Sequence, residues 1–237
     1  MDTTTWLKGN THLHTTRSDG DASIEYAASF YAEREYDFIA VTDHNRYLRS
    51  EERNVSLPGG FVLLGGSELS CKSAVTMKPI DVCSVGGLGP DSPGNKVVFT
   101  DKGASGTVEI ALNDARAAGG LPVINHPCWR WALSAADLLE VPVHPGGDFL
   151  LEVMNPSSDC NSFSAGGVDS PEDIWSKLLS AGRRVWAVAA DDAHRIKIPT
   201  IPARDGGCRA WVMVGAEART EKAIVDAMRV GKFYCSS

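Results

Sequence analysis

A chain of 237 residues, 43% apolar and 22% charged, has the composition of a soluble globular protein with enough material for one large core. Its formal net charge of −7 excludes a broad nucleic-acid surface, and no apolar run approaches the roughly 20 residues of a membrane span. Six cysteines without a CxxC pair exclude a zinc knuckle or dithiol redox motif; with no signal-peptide pattern at Met1, they read as reduced thiols of a cytoplasmic protein.

In chain order, Trp6-Leu7-Lys8 alternates like a strand and leads into His12-Leu13-His14 and the turn-forming Ser18-Asp19-Gly20. Ile24, Ala27, Ala28 and Tyr31 recur at helical spacing, predicting a helix over 23–35. The continuous apolar run 38–42 has the signature of a strand buried on both faces and ends in Asp43-His44-Asn45. The run 61–64 ends in Gly65-Gly66-Ser67-Glu68, and 79–85 resembles a third strand. Gly, Pro, Ser and Asp dominate 86–106, which reads as an irregular loop.

A helix over about 107–118 follows, stopped by Gly119-Gly120, and 121–124 then runs into Asn125-His126-Pro127. Ser134 with Asp137 opens a short helix over 135–140. A strand over 149–154 ends at Asn155, and Ser170-Pro171-Glu172-Asp173 starts a helix that runs to Gly182. A strand over 184–190 ends in Asp191-Asp192-Ala193-His194, and a strand over 210–214 precedes a helix over about 220–231. Strands alternating with helices predict an α/β fold of parallel strands, and about seven or eight such units fit a (β/α) barrel in a single domain, residues 1–237. An open doubly wound sheet is the alternative, but the Gly-rich turn after strand one is missing.

Five of the six histidines, His12, His14, His44, His126 and His194, lie at or just beyond the end of a predicted strand, as do Glu68 and Asp192. In a (β/α) barrel those ends converge on the face that carries the active site. Residues two apart on a strand share a face, so His12 and His14 begin a divalent-metal site. Seven potential ligands exceed what one ion takes, which predicts two or three ions with Glu68 as a bridging carboxylate. His144 reads as ordinary surface. Arg130 is placed to clamp a phosphate bidentately, and Arg17 and Arg195 flank ligand motifs as further substrate-binding candidates. Trp129 and Trp131 are candidates for stacking on a ring or for packing. Asp43, Asp191, Glu152 and Asn155 also stand at strand ends; Asp43 and Asp191 suit a role orienting the ligands, and Asp191 is also a candidate proton donor to a leaving group.

His12-Leu13-His14, Ser18-Asp19-Gly20, Thr42-Asp43-His44, Glu68, His126-Pro127 and Asp192-Ala193-His194 together resemble the polymerase and histidinol phosphatase (PHP) domain family, in the family's order and over nearly the whole chain. The resemblance implies a distorted (β/α)7 barrel holding two or three zinc, manganese or iron ions. One ion would take His12, His14, Glu68 and Asp192; a second, Glu68 and His126; a third, Asp19, His44 and His194. Where relatives often supply a further histidine to the second ion, Asp81 stands here, as a ligand or as a neighbour of one. An arginine just after His-Pro is also seen in related phosphoesterases, which supports Arg130.

A water shared between such cations becomes a nucleophile near neutral pH, which suits a phosphoesterase acting on a small phosphomonoester or nucleotide. Lys8-Gly9-Asn10 before His12, with Thr42-Asp43-His44-Asn45, resembles the carbaryl-hydrolase-like branch, which implies hydrolysis of carboxyl esters, carbamates or amides instead. A proofreading module of a nucleic-acid enzyme is a third alternative, disfavoured by the acidic charge. With only 86–106 available as a cap, an open cavity mouth is expected. The chain stops at Phe233-Tyr234-Cys235-Ser236-Ser237, where relatives often continue, so a truncated chain and a minimal member both fit.

Overall fold

Neighbouring residues along each buried strand go to different cores, which is why the strands are apolar without alternation. In the computed structural model, which describes residues 4–49, 51–90, 98–145, 147, 149–157, 159–197 and 206–237, Phe38, Cys83, Val123 and Leu150 join one cluster. Their neighbours Val82, Ile124 and Leu151 join a second, and Ile39 a third.

The strands are β1 (Thr5–Asn10), β2 (Phe38–Ala40), β3 (Val62–Leu64), β4 (Gly66–Ser73), β5 (Pro79–Val85), β6 (Val98–Thr100), β7 (Leu121–Ile124), β8 (Leu150–Met154), β9 (Trp186–Ala189), β10 (Trp211–Ala216) and β11 (Phe233–Ser236). The helices are α1 (Ile24–Ala32), α2 (Ala104–Ala117), α3 (Ala135–Glu140), α4 (Pro171–Ser180) and α5 (Glu221–Arg229). Side-chain caps start four of them. Ser23 and Thr220 each accept from a backbone N–H, and Ser134 with Asp137 and Ser170 with Asp173 form capping boxes.

The strands make two sheets, β11-β10-β1-β2-β3 and β6-β4-β5-β7-β8-β9. The expectation of an all-parallel closed barrel is corrected on two counts. The ladder is not continuous: the sheets meet through isolated bridges, Leu13 with Ala193 and His44 with Glu68. Strand direction is also mixed, because β4–β5, β5–β7, β1–β10 and β10–β11 pair antiparallel. A short hairpin joins β4 to β5, where a parallel pair would need a long crossover. Helices α2, α3 and α4 cover the outer face of the six-stranded sheet, and α1 covers β2 and β3. The central core holds Leu7, Leu64, Val188 and Val212, with Ile224 and Met228 from α5.

Three elements depart from the sequence reading. The run 61–64 ends as β3 at Leu64, but after Gly65 alone the chain enters β4 at Gly66, so Glu68 lies within a strand rather than beyond one. Gly66 is there because a Cβ would stand 2.6 Å from the Ser84 carbonyl oxygen on β5. The loop foreseen over 86–106 contains β6 and the start of α2, and its residues 91–97 lie outside the described residues. The last strand, β11, pairs with β10 at the sheet edge. No described helix is long and apolar enough to cross a membrane, and all six cysteines are free.

Gly9 on β1 supports the strand that carries the first histidines. A Cβ there would stand 2.2–2.3 Å from the ring of Phe38, which is fully buried. Gly9→Ala is expected to cost about 1–3 kcal/mol through overpacking. An unchanged urea-unfolding midpoint would contradict this packing.

Candidate metal centre

The ends of β1, β2, β7 and β9 and the start of β4 bring the histidines and acids to one place. Glu68 is its hub. Oε1 lies 3.3 Å from His12 Nε2 and 3.3 Å from His126 Nε2, while Oε2 lies 3.2 Å from His14 Nε2 and 3.0 Å from His44 Nδ1. Asp192 Oδ1 stands 3.2 Å from both His12 Nε2 and His14 Nε2, which are 3.1 Å from each other. Ligands about 2.0–2.2 Å from one tetrahedral ion lie about 3.3–3.6 Å apart, close to this spacing. Asp192 Oδ1 is also buried without a hydrogen-bond partner. An orphaned acceptor among imidazole nitrogens is what a cation would satisfy, so the donor set fits a divalent transition metal.

Nearer the solvent, Asp19 Oδ1 is 3.5 Å from His14 Nδ1, and its Oδ2 is 3.6 Å from His44 Nε2 and 3.5 Å from His194 Nε2. Among the described residues, three groups have ligand atoms mutually within 4.8 Å: His14, Asp19, His44 and His194; His12, Glu68 and His126; and His12, His14 and Asp192. The grouping differs in detail from the sequence assignment, since His14 also reaches the Asp19 group and His12 the His126 group.

Strained backbone marks the same positions. Asn45, His126, Arg130 and Asp192 have φ of 51°, 22°, 52° and 50°, a region that non-glycine residues enter with strain and that clusters at functional sites.

Burial alone would push the His12 imidazole down, but Asp192, Glu68 and Glu152 outweigh it and hold it well above its ordinary value. Burial opposes the same carboxylate pull at His126 and His44, which nevertheless rise to about 10 and about 9. Burial would raise Glu68 and Asp192, yet the histidines hold both well below the usual carboxylate range. The centre thus keeps its acids ionised and demands positive charge beside them.

Behind the ligands stands a supporting layer. His12 Nδ1 donates to Glu152 Oε1 at 3.1 Å, which turns Nε2 toward Glu68 and Asp192. Glu152 Oε2 accepts from the His126 backbone N–H at 2.7 Å and from Asn155 Nδ2 at 3.0 Å. Asn125 Nδ2 donates to Glu68 Oε1 at 2.6 Å, and Ser70 Oγ lies 2.8 Å from His44 Nδ1. Asp43 accepts from the Thr15 backbone N–H and from the Thr15 and Ser18 hydroxyls, fixing the turn that carries Asp19. Sequence reading noticed Glu152, Asn155 and Asp43 as strand-end residues but missed Asn125 and Ser70, whose only signal was position, one residue before His126 and two after Glu68.

A cavity of about 760 Å³ opens over the cluster, and Lys72, Asp81, Trp129, Arg130, Cys160 and Arg195 help line it. It communicates with solvent beside Asp19, whose side chain is 54% exposed. Arg130 lies over the Trp129 ring at 4.9 Å, and Arg195 Nη1 donates to the Asp19 carbonyl at 2.8 Å. Burial raises the Cys160 thiol, which keeps it from serving as a nucleophile near neutral pH.

Asp81 reaches the cavity because β5 runs antiparallel, which sets it opposite Ser70 near the start of the strand. Burial, then the Glu68 charge, pushes its carboxyl up to about 6, and it belongs to none of the three ligand groups.

Two candidates are not brought to the cavity. Arg17 spends its guanidinium on Asp43, Glu52 and the Tyr47 carbonyl, holding the turn below the ligands. Asp191 is fully buried and accepts from Tyr31 Oη and from the backbone N–H groups of Cys208, Arg209 and Ala210. Both of its oxygens are thus engaged by Tyr31 and the 208–210 backbone, and it is not among the residues that line the cavity. Trp131 is likewise not among the cavity residues, and His144 is exposed on a remote loop.

No family model matches the chain. A stretch of 43 residues is 42% identical to the DNA polymerase/3'-5' exonuclease PolX of Bacillus subtilis, covering 18% of this chain and only 8% of that protein. Among solved structures, a two-domain protein from Bacteroides vulgatus containing a predicted PHP-like metal-dependent phosphoesterase is similar over the whole chain, with a TM-score of 0.58 and 18% identity. This chain spans 66% of its length. PsfC from Pseudomonas syringae matches 98% of this chain and 91% of its own, with a TM-score of 0.55 and 13% identity. An amidohydrolase from Chromobacterium violaceum with bound sulfate and no metal matches 84% and 90%, with a TM-score of 0.51 and 16% identity. At these identities the likeness is one of fold alone, shared with a neighbour described as PHP-like.

Glu152→Ala is expected to weaken divalent-metal binding about 10–100-fold by releasing the His12 ring, measured by competition with a chelating dye. Asp191→Ala is expected to lower unfolding free energy by about 1–3 kcal/mol, since it strands buried donors. A denaturation curve that matches the unsubstituted protein would remove its anchoring role.

Proposed function

We propose that the chain is a PHP-type metal-dependent hydrolase, a single domain, and that its substrate is a small phosphate ester such as a phosphomonoester or nucleotide. The observation that carries this is the cavity itself, which has carboxylates and imidazoles at its floor and Lys72, Arg130 and Arg195 around it. Two or three zinc, manganese or iron ions are assigned to His12, His14, Asp19, His44, Glu68, His126, Asp192 and His194. When bound, they would supply Lewis acidity and a nucleophilic water near neutral pH.

The chain's own residues do the rest. Glu68, with both oxygens engaged, spaces the ligand groups, and Glu152 and Asn125 hold His12 and Glu68 in place. Arg130, braced on Trp129, presents fixed donors to the ester's anionic oxygens, where fork geometry suits a phosphate. Arg195, tied to the Asp19 carbonyl, adds positive charge at the mouth. Asp81 is assigned to the wall beside the ligands rather than to an ion.

A second activity, hydrolysis of a carboxyl ester, carbamate or amide as in the carbaryl-hydrolase-like branch, is favoured by one feature. The Trp129 ring gives the wall an apolar surface for a neutral aromatic substrate.

The two are separated by assaying p-nitrophenyl phosphate and p-nitrophenyl acetate with manganese- or zinc-loaded protein, alongside His12→Ala and Arg130→Ala. Phosphatase activity abolished by His12→Ala and reduced on the order of 10²-fold by Arg130→Ala is expected. Acetate turnover indifferent to Arg130, with no phosphatase activity, would transfer the assignment to the ester and amide branch.

A further inference from the structure

A second cavity, of about 330 Å³, lies at the opposite end of the strands from the metal centre. Leu121 and Trp186, which line it, open β7 and β9, the strands whose far ends lead to His126 and Asp192. Its volume is at the small end of the range usual for organic ligands.

Two kinds of residue meet there. Leu121 and Phe149, each 4% exposed, form an apolar wall with the half-buried Trp186. The Trp186 ring is seated against Gly231, where a Cβ would stand 2.5 Å from it. Facing solvent are three arginines from three separate segments: Arg116 in the last turn of α2, Arg184 just before β9, and Arg229 at the end of α5. Arg184 Nη2 lies 3.5 Å from the position a Cβ would take on Gly147, itself a lining residue, which sets this guanidinium at the cavity wall. Arg184 and Arg229 are exposed, so a ligand arriving from solvent can reach them. No carboxylate is among the described residues that line the cavity.

A helix end favours a cation in its last turn, which accounts for Arg116 and Arg229 one at a time. It does not account for Arg184, nor for three arginines around one cavity in a chain whose net charge is −7. Like charges gathered around one space repel, and a multiply charged anion placed among them replaces repulsion with attraction. Guanidinium forks match phosphate oxygens, and the apolar wall suits a carbon skeleton. We propose that this cavity binds a small phosphorylated organic molecule, at a site separate from the metal centre. The phosphate lies among Arg116, Arg184 and Arg229, and the organic part lies against Phe149 and Trp186. Binding here does not depend on which ester is hydrolysed at the metals.

Phenylphosphonate is a suitable probe, because it carries a ring and a phosphate-like anion and is not hydrolysed. Its binding to the manganese-loaded protein is measured by titration calorimetry, beside the double variant Arg184→Gln with Arg229→Gln. A binding event is expected that the double substitution weakens at least tenfold and that His12→Ala and Arg130→Ala leave within twofold. Hydrolysis at the metal centre is expected to stay within twofold in the double variant, since neither arginine lines that cavity. Phenylphosphonate binding that the double substitution leaves unchanged overturns the proposal, and so does binding that only His12→Ala or Arg130→Ala abolishes. Inorganic phosphate that binds at the arginines as tightly as phenylphosphonate also overturns it, because the apolar wall would then contribute nothing. An arginine-dependent event in a protein that hydrolyses no phosphate ester would keep this site and remove the phosphoesterase activity instead.

Discussion

Three carboxylates, those of Glu68, Glu152 and Asp192, are buried within a few ångströms of one another's histidine partners. Isolated negative charge in such surroundings is prohibitively unfavourable, so it must be met by fixed positive charge. The carboxylates favour charged imidazoles beside them, which is why His126 and His44 rise to about 10 and about 9 against the opposing effect of burial. Divalent cations would meet the same demand more completely, with the imidazoles in the neutral form that ligates. The unpartnered Asp192 Oδ1 is the local expression of this requirement.

The rest of the structure serves to hold that charge in place. Each strand divides its residues between cores, so strand positions are locked on both faces and their ends are correspondingly well fixed. The backbone strain at Asn45, His126 and Asp192 is sustained at those fixed ends. Behind them, Glu152 and Asp43 each accept several hydrogen bonds and so couple segments distant in sequence: Glu152 joins His12 to His126, and Asp43, just beyond β2, holds the Thr15–Ser18 turn, Arg17 included. Asp191 does comparable work further from the cavity, gathering the backbone of Cys208–Ala210 onto Tyr31.

Much of the centre was legible in the sequence because its signal is positional. Histidines are rare in this chain, and finding five of them after apolar runs identified a shared rim before any geometry was known. The helices were legible from their caps, Ser134 with Asp137 and Ser170 with Asp173 most clearly. Strand direction was not, because apolar runs look alike whether their neighbours run parallel or antiparallel. Gly65-Gly66 likewise marked the end of the run 61–64 without showing that β4 begins at Gly66, where the absent side chain admits the close approach of Ser84. Roles among charged residues were also hidden. Arg17 and Asp191 flank ligands in sequence just as Arg195 does, and only their three-dimensional partners separate an anchor from a cavity residue. Asn125 and Ser70 carry no titratable group to draw attention to them, yet both contact a ligand directly.

The most direct test of a metal centre organised by Glu68 is equilibrium dialysis of the purified protein against manganese and against zinc, with bound metal counted per chain. At least two ions per chain, falling to one or none in Glu68→Gln while the fold persists by circular dichroism, is the predicted result. A protein that binds no ion with either metal, or whose Glu68→Gln variant binds as many ions as tightly, would contradict it.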